Sequence, residues 1–370
     1  MRRIGIVAVS HPALGGTFQY TLSMIDALRR IPGNEYIIYT TASNKFYDEI
    51  GLPIIRLPTA AGAILGYAIA AIVPSAQLFS EVDKLISPIY TTRLLASRRP
   101  FAMTIHDLQE RYYPENFSVA QRVWRRLSNR LLSRAATRVL CESAHVRDDI
   151  VNFLGIADSK IAIIPAPPVS AFLPEHLDAR ALQGAAARLE LPDQFLFYPA
   201  QFFPHKNHLR LIEAFALVGR QYPECRLFLT GQARYEYQKV MARVAELGLA
   251  DRVIHLGYVD TSLLAAVYAR ATLVVIPTLF ESISIPAYEA FRLGVPLCIS
   301  NVVGLPAQVG DAAVLFDPVS VTDIAEKIVA TLANQELRRE LVMRGKTRVA
   351  ALTSELYAAQ LKTVLDDLEQ

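Results

Sequence analysis

Three prolines within four residues, Pro165, Pro167 and Pro168, divide the chain into two stretches with the same internal rhythm. Neither a helix interior nor a central strand tolerates that spacing, because each proline removes a backbone donor and fixes φ. On both sides, short apolar runs alternate with amphipathic stretches. Before the prolines, residues 4–9, 36–40, 54–57, 85–87, 101–105, 138–141 and 161–164 read as buried strands, with a helix over about 17–30. After them, one short helical stretch precedes residue 192, and residues 195–198, 226–230, 253–255, 273–276 and 296–299 read as strands. Helices fall at 209–220, 237–247, 262–270 and 286–293, and a long amphipathic tail begins at 321. Such alternation implies parallel sheets covered on both faces, so the expected class is α/β with two open sheets. Ligands of such sheets bind beyond the C-terminal strand ends, and two sheets facing each other would make an interdomain cleft.

The length, 370 residues, exceeds what one core usually serves, and 52% hydrophobic with 20% charged residues describes a globular chain. Cys141, Cys225 and Cys298 lie far apart, which points to buried thiols in a reducing, cytoplasmic compartment and away from a zinc or disulfide framework. The apolar run after Arg3 is too short for a signal peptide and meets Ser10-His11-Pro12 at once, so it reads as a first strand. The uncharged window 57–80 has its apolar centre at 60–73, shorter than the ~20 residues of a spanning helix. It reads as a core helix, with an interfacial segment left open. Net charge is +3, but residues 1–165 hold 19 Lys and Arg against 13 Asp and Glu. No nucleic-acid partner is expected.

Several residues fall where such sheets do chemistry. Gly15-Gly16, between the first strand and helix, lets backbone approach a ligand at a helix N-terminus; a plain tight turn would look the same. The pattern is not the dinucleotide fingerprint G-x-G-x-x-G. His106-Asp107 follows the strand 101–105 directly, as a site imidazole or as a histidine that ties down a loop. Lys206 precedes the helix 209–220, where a cation suits a phosphate, although a solvated lysine would fit as well. Glu281 and Glu289 flank the start of a helix whose first turn accommodates Pro286. A carboxylate at Glu289 can accept two hydrogen bonds from a ribose diol. Apolar neighbours, Leu279-Phe280 and Ala287, Tyr288, Ala290 and Phe291, argue against two plain surface glutamates.

The stretch from Phe280-Glu281-Ser282 through Glu289 to Gly294-Val295-Pro296 resembles the E-x7-E signature of family-4 retaining glycosyltransferases of GT-B architecture. Gly15-Gly16 is similar to that family's glycine loop, Thr104-Ile105-His106-Asp107-Leu108 to its histidine loop, and Tyr198 to Asn207 to its phosphate-binding lysine segment. Gly310-Asp311-Ala312-Ala313 and Asp317-Pro318 look like its C-terminal landmarks. These motifs cover nearly the whole chain in the right order. The resemblance implies two Rossmann-like domains, an acceptor-side domain at 1–168 and a donor-binding domain at 169–352, with a final helix at 353–370 that packs back on the first. It implies that Glu289 binds the ribose, that Lys206 holds the diphosphate with backbone amides near Ser284 and Ile285, and that Glu281 and His106 contact the donor sugar. Gly15, Gly16 and Gln201 complete the expected donor site. Relatives often place arginine where Gln201 stands and glycines where Ser282 and Ser284 stand, so the diphosphate clamp lacks a guanidinium here.

No Asp-x-Asp pair occurs, so no metal is expected, and no cofactor beyond the nucleotide sugar itself. The Gln201…Lys206-Asn207 form is similar to mannosyl- and rhamnosyltransferases of surface polysaccharide assembly, which favours a GDP-linked over a UDP-linked donor. The expected reaction moves a hexose or deoxyhexose to a glycan or lipid-linked saccharide. Two competitors stand: a degenerate subunit that only binds a sugar nucleotide or a partner enzyme, and a phosphorylase or epimerase. The lysine-centred pyridoxal site of a phosphorylase is not seen.

Finally, Arg122, Arg126, Arg130 and Arg134 recur every four residues, with Val123, Trp124, Leu127, Leu131 and Ala135 as an apolar stripe. Arg122, Arg126 and Arg130 could meet an acceptor or the inner face of an anionic membrane, giving peripheral association. The same spacing suits a solvated face on a helix whose apolar stripe covers the sheet. The sequence leaves both open.

Overall fold

A computed structural model describes residues 2–11, 15–41, 44–57, 78–167 and 191–369, together with 184, 187 and 189. The helices expected at 60–73 and before 192 lie outside these residues. The chain forms two compact units, Met1–Pro167 with Leu352–Gln370, and Pro168–Ala351.

In the first unit, β1 (Arg2–Val7), β2 (Asn34–Thr41), β3 (Ile54–Leu57), β4 (Lys84–Ser87), β5 (Phe101–Thr104), β6 (Arg138–Cys141) and β7 (Ile161–Ile163) form one sheet in the order β3-β2-β1-β4-β5-β6-β7. Every pairing is parallel, with Ile4 opposite Tyr36 on one side and Lys84 on the other. Alternate residues of the strands enter different cores. Ile4, Ile6, Tyr36 and Ile38 join one, while Val7, Ile37 and Tyr39 join the other. The helix Gly16–Arg29 and the returning C-terminal helix Ser354–Asp367 cover the first core, the latter through Tyr357, Leu361, Val364 and Leu365. Polar contacts fasten its end: Lys84 Nζ donates to the Leu365 carbonyl at 2.9 Å and Arg138 Nε to Asp367 at 2.9 Å.

In the second unit, β8 (Phe195–Pro199), β9 (Arg226–Thr230), β10 (Val253–His255), β11 (Leu273–Ile276), β12 (Leu297–Ser300) and β13 (Val314–Phe316) form a parallel sheet in the order β10-β9-β8-β11-β12-β13. Strand β13 was not anticipated. The long tail divides into Val321–Ala333, Gln335–Ala350 and Ser354–Asp367.

Strand order reverses between β1 and β4 and again between β8 and β11. Loops leaving such a reversal diverge and open a crevice at the C-terminal strand ends. The loop containing Gly15 follows β1, and Pro88 follows β4; the Lys206 turn follows β8, and Glu281 follows β11.

Candidate active site

Two loops at the β8/β11 reversal are knitted together. After β8 the chain makes a short turn, Pro204–Lys206, and Asn207 adopts a left-handed conformation, φ 60°, before the helix His208–Val218. Asparagine tolerates this region better than most residues. Its buried side chain also fixes the turn in place: Nδ2 donates to the carbonyls of Pro277 at 2.9 Å and Pro318 at 2.8 Å, and Oδ1 accepts from Arg210 at 3.0 Å. The buried Tyr198 hydroxyl donates to the Lys206 carbonyl at 2.9 Å, and Leu279 N–H donates to the His205 carbonyl at 2.7 Å.

Held this way, Lys206 Nζ forms an ion pair with Glu281 Oε1; their side chains are 18% and 12% exposed. The second carboxylate oxygen, Glu281 Oε2, is buried without a hydrogen-bond partner. The same is true of Ser284 Oγ. Buried polar atoms are usually partnered, so these two oxygens leave hydrogen-bonding capacity unused in one loop.

Ser284 occupies the N-cap position of the helix Ile285–Leu293 without a side-chain capping bond. Its backbone N–H was expected to serve a phosphate, but it donates to Gln308 Oε1 at 2.7 Å, while Gln308 Nε2 donates back to the Ser284 carbonyl at 2.8 Å. That clasp fixes the loop and takes the Ser284 N–H out of the expected pair, leaving the Ile285 N–H at the first helical position, where no intrahelical acceptor exists. Gly304 belongs to the same framework: a Cβ there would stand 2.2 Å from the Ser282 carbonyl oxygen.

One turn into the helix, Glu289 is 5% exposed and its Oε2 accepts the Tyr268 phenol at 2.6 Å. Burial pushes the Glu289 carboxyl up to about 7, and the Tyr268 hydrogen bond only partly opposes this. Gln201, expected at the diphosphate, has its Oε1 committed to the Gln232 N–H at 2.9 Å and so pins the loop after β9.

In the first unit, Gly15 precedes the helix with φ 57° and ψ −115°, a conformation suited to glycine alone, and Gly16 opens the helix. His106 is fixed at both nitrogens. Nε2 lies 2.9 Å from the Pro88 carbonyl, which can only accept, and Nδ1 lies 2.8 Å from Glu142 Oε2. Its ring meets Tyr20 edge-on, centroids 4.7 Å apart. Burial disfavours the cation, but the Glu142 hydrogen bond and charge, helped by Asp107 and the Pro88 carbonyl, outweigh it and raise the His106 pKa. An imidazolium donating from both nitrogens satisfies this geometry. His106 therefore has no ring nitrogen left over for proton transfer in this arrangement.

In the arginine helix, Val119–Ala135, the apolar stripe does not cover the sheet; covering it was one of the two readings left open by the sequence. Its buried residues are Ser128, Asn129, Leu132 and Ser133, and its apolar stripe points outward. Arg126 and Arg130 are exposed, whereas Arg122 is half-buried with its Nε unpartnered, so it does not belong to the exposed basic row.

Sequence reasoning missed Tyr268, Asn207 as a clamp, Gln308, Gly304 and Glu142. A polar Gln308 in the otherwise apolar run Leu305–Val309 was the one available signal.

Known proteins match in the same two halves. The family described as Glycosyltransferase Family 4 matches residues 14–167, and Glycosyl transferases group 1 matches residues 184–348. A serotype-specific mannosyltransferase, WbdA of Escherichia coli, is 26% identical over 291 residues, covering 76% of this chain but only 35% of the relative's length. The O-antigen chain mannosyltransferase RfbU of Salmonella typhimurium is 22% identical over 308 residues, 78% of each chain. Among solved structures, Anabaena HepE in complex with UDP and glucose superimposes with a TM-score of 0.80 at 17% identity, over 99% of this chain and 100% of that one, a likeness of fold. With its two parallel sheets and both halves matched in order, the chain belongs to the family-4, group 1 glycosyltransferases of GT-B architecture.

Proposed function

We propose that the chain transfers a hexose or deoxyhexose, mannose or rhamnose type favoured, from a nucleotide diphosphate to a glycan or lipid-linked saccharide, with retention and without a metal. The observation that carries this reading is the pair of orphaned buried oxygens, Glu281 Oε2 and Ser284 Oγ, in the loop that pairs with Lys206. In this reading Glu289 accepts the ribose hydroxyls. The diphosphate replaces Glu281 as the partner of Lys206 and takes the Ile285 N–H at the helix N-terminus. Glu281, released, accepts from hydroxyls of the donor sugar. As the bond from the anomeric carbon to the diphosphate oxygen breaks and one to the acceptor hydroxyl oxygen forms, charge grows on the leaving oxygen, where Lys206 and the helix end stabilise it and the acceptor's proton is taken up. His106 serves as a fixed cation toward the sugar, held by Glu142.

The names of WbdA and RfbU support mannose, and mannose favours a GDP-linked donor. Three free, buried thiols fit a cytoplasmic setting. A thermal-shift titration with GDP and UDP is the first test, since a ligand at 100 times its Kd stabilises by about 2.7 kcal/mol. Transfer from GDP-mannose, followed by the anomeric configuration of the product, tests sugar and retention. No shift with any nucleoside diphosphate would sink the proposal. A second reading, a non-catalytic sugar-nucleotide-binding subunit, draws on Gln201, whose amide oxygen is committed to Gln232. Turnover by the purified chain alone would remove it.

A further inference from the structure

The loops that leave β4 and β5 carry a charged cluster beside His106, and Arg125 enters it from the helix Val119–Ala135. Its guanidinium is held on three sides. Nε donates to Glu110 Oε2 at 2.8 Å, Nη1 donates to the Tyr90 hydroxyl at 3.1 Å, and the Phe117 ring centre lies 5.1 Å away. The Glu110 side chain is only 3% exposed, so the anchor is a fixed one. The remaining nitrogen, Nη2, faces Asp107 Oδ1 at 3.7 Å. That separation makes an ion pair but not a hydrogen bond, which for N–H···O ends at about 3.2 Å. Asp107 Oδ1 instead accepts the Gln109 N–H at 3.1 Å, a local turn that fixes the carboxylate. Among the described residues, neither Arg125 Nη2 nor Asp107 Oδ2 has a hydrogen-bonded partner. Both side chains reach solvent, Arg125 at 22% and Asp107 at 35% exposure.

We propose that Asp107 and Arg125 clasp two adjacent hydroxyls of a neutral acceptor sugar, one donating to Asp107 Oδ2 and its neighbour accepting from Arg125 Nη2. A carboxylate and a guanidinium held 3.7 Å apart offer an acceptor and a donor side by side, and a vicinal diol presents the same pair in reverse. Charge selects the occupant. Three carboxylates, Asp107, Glu110 and Glu142, meet two cations, Arg125 and the His106 imidazolium. Glu110 answers Arg125 and Glu142 answers His106, so Asp107 is the surplus and the cluster is negative. An anionic group such as a phosphate is repelled there, whereas a neutral hydroxyl gains a charge-assisted hydrogen bond. Asp107 follows His106 directly in the chain, which puts the clasp beside the imidazolium assigned to the donor sugar. Calling the clasped sugar the acceptor rests on the transfer reading; the clasp itself does not.

The full chain is titrated, without donor, with the methyl pyranosides of mannose, rhamnose, glucose, galactose and N-acetylglucosamine, and binding is read by saturation-transfer NMR. The expected result is binding of at least one, weakened when either of two adjacent hydroxyls is replaced by hydrogen. Asp107→Asn should weaken that binding at least about tenfold, the change that one charge-assisted hydrogen bond carries. It should leave the melting temperature and the affinity for GDP as they are, because the ion pair it breaks is partly exposed. In Asp107→Asn one of the two hydroxyls should become dispensable, and in Arg125→Lys the other; a merely structural role would move neither. Where Arg125→Lys does not fold, Asp107→Asn with the deoxy sugars decides alone. The clasp is overturned if no pyranoside binds, if Asp107→Asn binds as the parent does, or if its dependence on the hydroxyls is unchanged. It is equally overturned if mannose 1-phosphate binds the parent and Asp107→Asn alike but is lost in Arg125→Lys, which would assign the arginine to a phosphate. A chain that shows this hydroxyl pattern yet transfers no sugar would keep the clasp and lose the transfer reading.

Discussion

Tyr268 donates its phenol proton to Glu289 Oε2 at 2.6 Å, yet burial still holds the Glu289 carboxyl near 7. The folded protein thus keeps this proton more tightly than the unfolded chain, whose glutamates titrate near 4.5. Stabilisation from this group is complete below that value and is lost as pH rises through 7. Glu289→Gln should therefore become progressively more stable than the parent between pH 5 and 8, approaching about 3 kcal/mol at the upper limit, at about 1.36 kcal/mol per pKa unit. Its affinity for a nucleoside diphosphate should fall at least tenfold, because charge-assisted hydrogen bonds contribute about 1.5–3 kcal/mol. Calorimetric melting and nucleotide titration across this range check both; a stability gap that ignores pH would remove Glu289 as the titrating group.

Lys206 Nζ and Glu281 Oε1 form a largely buried ion pair. Removing one partner of a largely buried pair leaves the other uncompensated, at a cost of about 3 kcal/mol, whereas neutralising both costs less. Lys206→Met should thus be less stable than Lys206→Met with Glu281→Gln. Lys206→Met should also lose affinity for the diphosphate while keeping that for the free nucleoside. Equal losses for nucleoside and diphosphate would separate Lys206 from the phosphate site.

Glu142 Oε2 lies 2.8 Å from His106 Nδ1, and in the proposed mechanism it would position that ring. Glu142→Gln should lower the His106 pKa, read directly from imidazole carbon and nitrogen shifts, and should lower kcat with little change in donor affinity. Rescue by Glu142→Asp would support the charge as the operative property. An unchanged titration in Glu142→Gln would leave Glu142 with a packing role only.

Activity should survive a chelator. In the proposed mechanism, Lys206 and the helix end at Ile285 would supply the positive charge that a divalent ion supplies elsewhere. Loss of transfer in EDTA with recovery in magnesium would overturn this.

The strands were legible because full burial writes short apolar runs into a sequence, and their ends carried His106, Lys206 and Glu281 to where such sheets bind ligands. What was not legible depended on partners distant along the chain. Nothing near Ser284 announces that Gln308 will take its N–H, and nothing near Glu289 announces Tyr268. The orientation of the helix Val119–Ala135 was left open for another reason. Helical periodicity separates an apolar from a basic face but does not say which one turns inward; here Arg125 and Glu110 decided it.

The return of Ser354–Asp367 onto β1 and its neighbours has a consequence for synthesis. All of Pro168–Ala351 leaves the ribosome between the first sheet and the helix that seals it. At roughly 10 residues per second that interval is about 20 seconds. For that time Tyr20, Met24, Ile4 and Ile6 lack part of their cover, so the unit that begins first is completed last, and a nascent chain would present a chaperone with a half-closed sheet beside a finished neighbour.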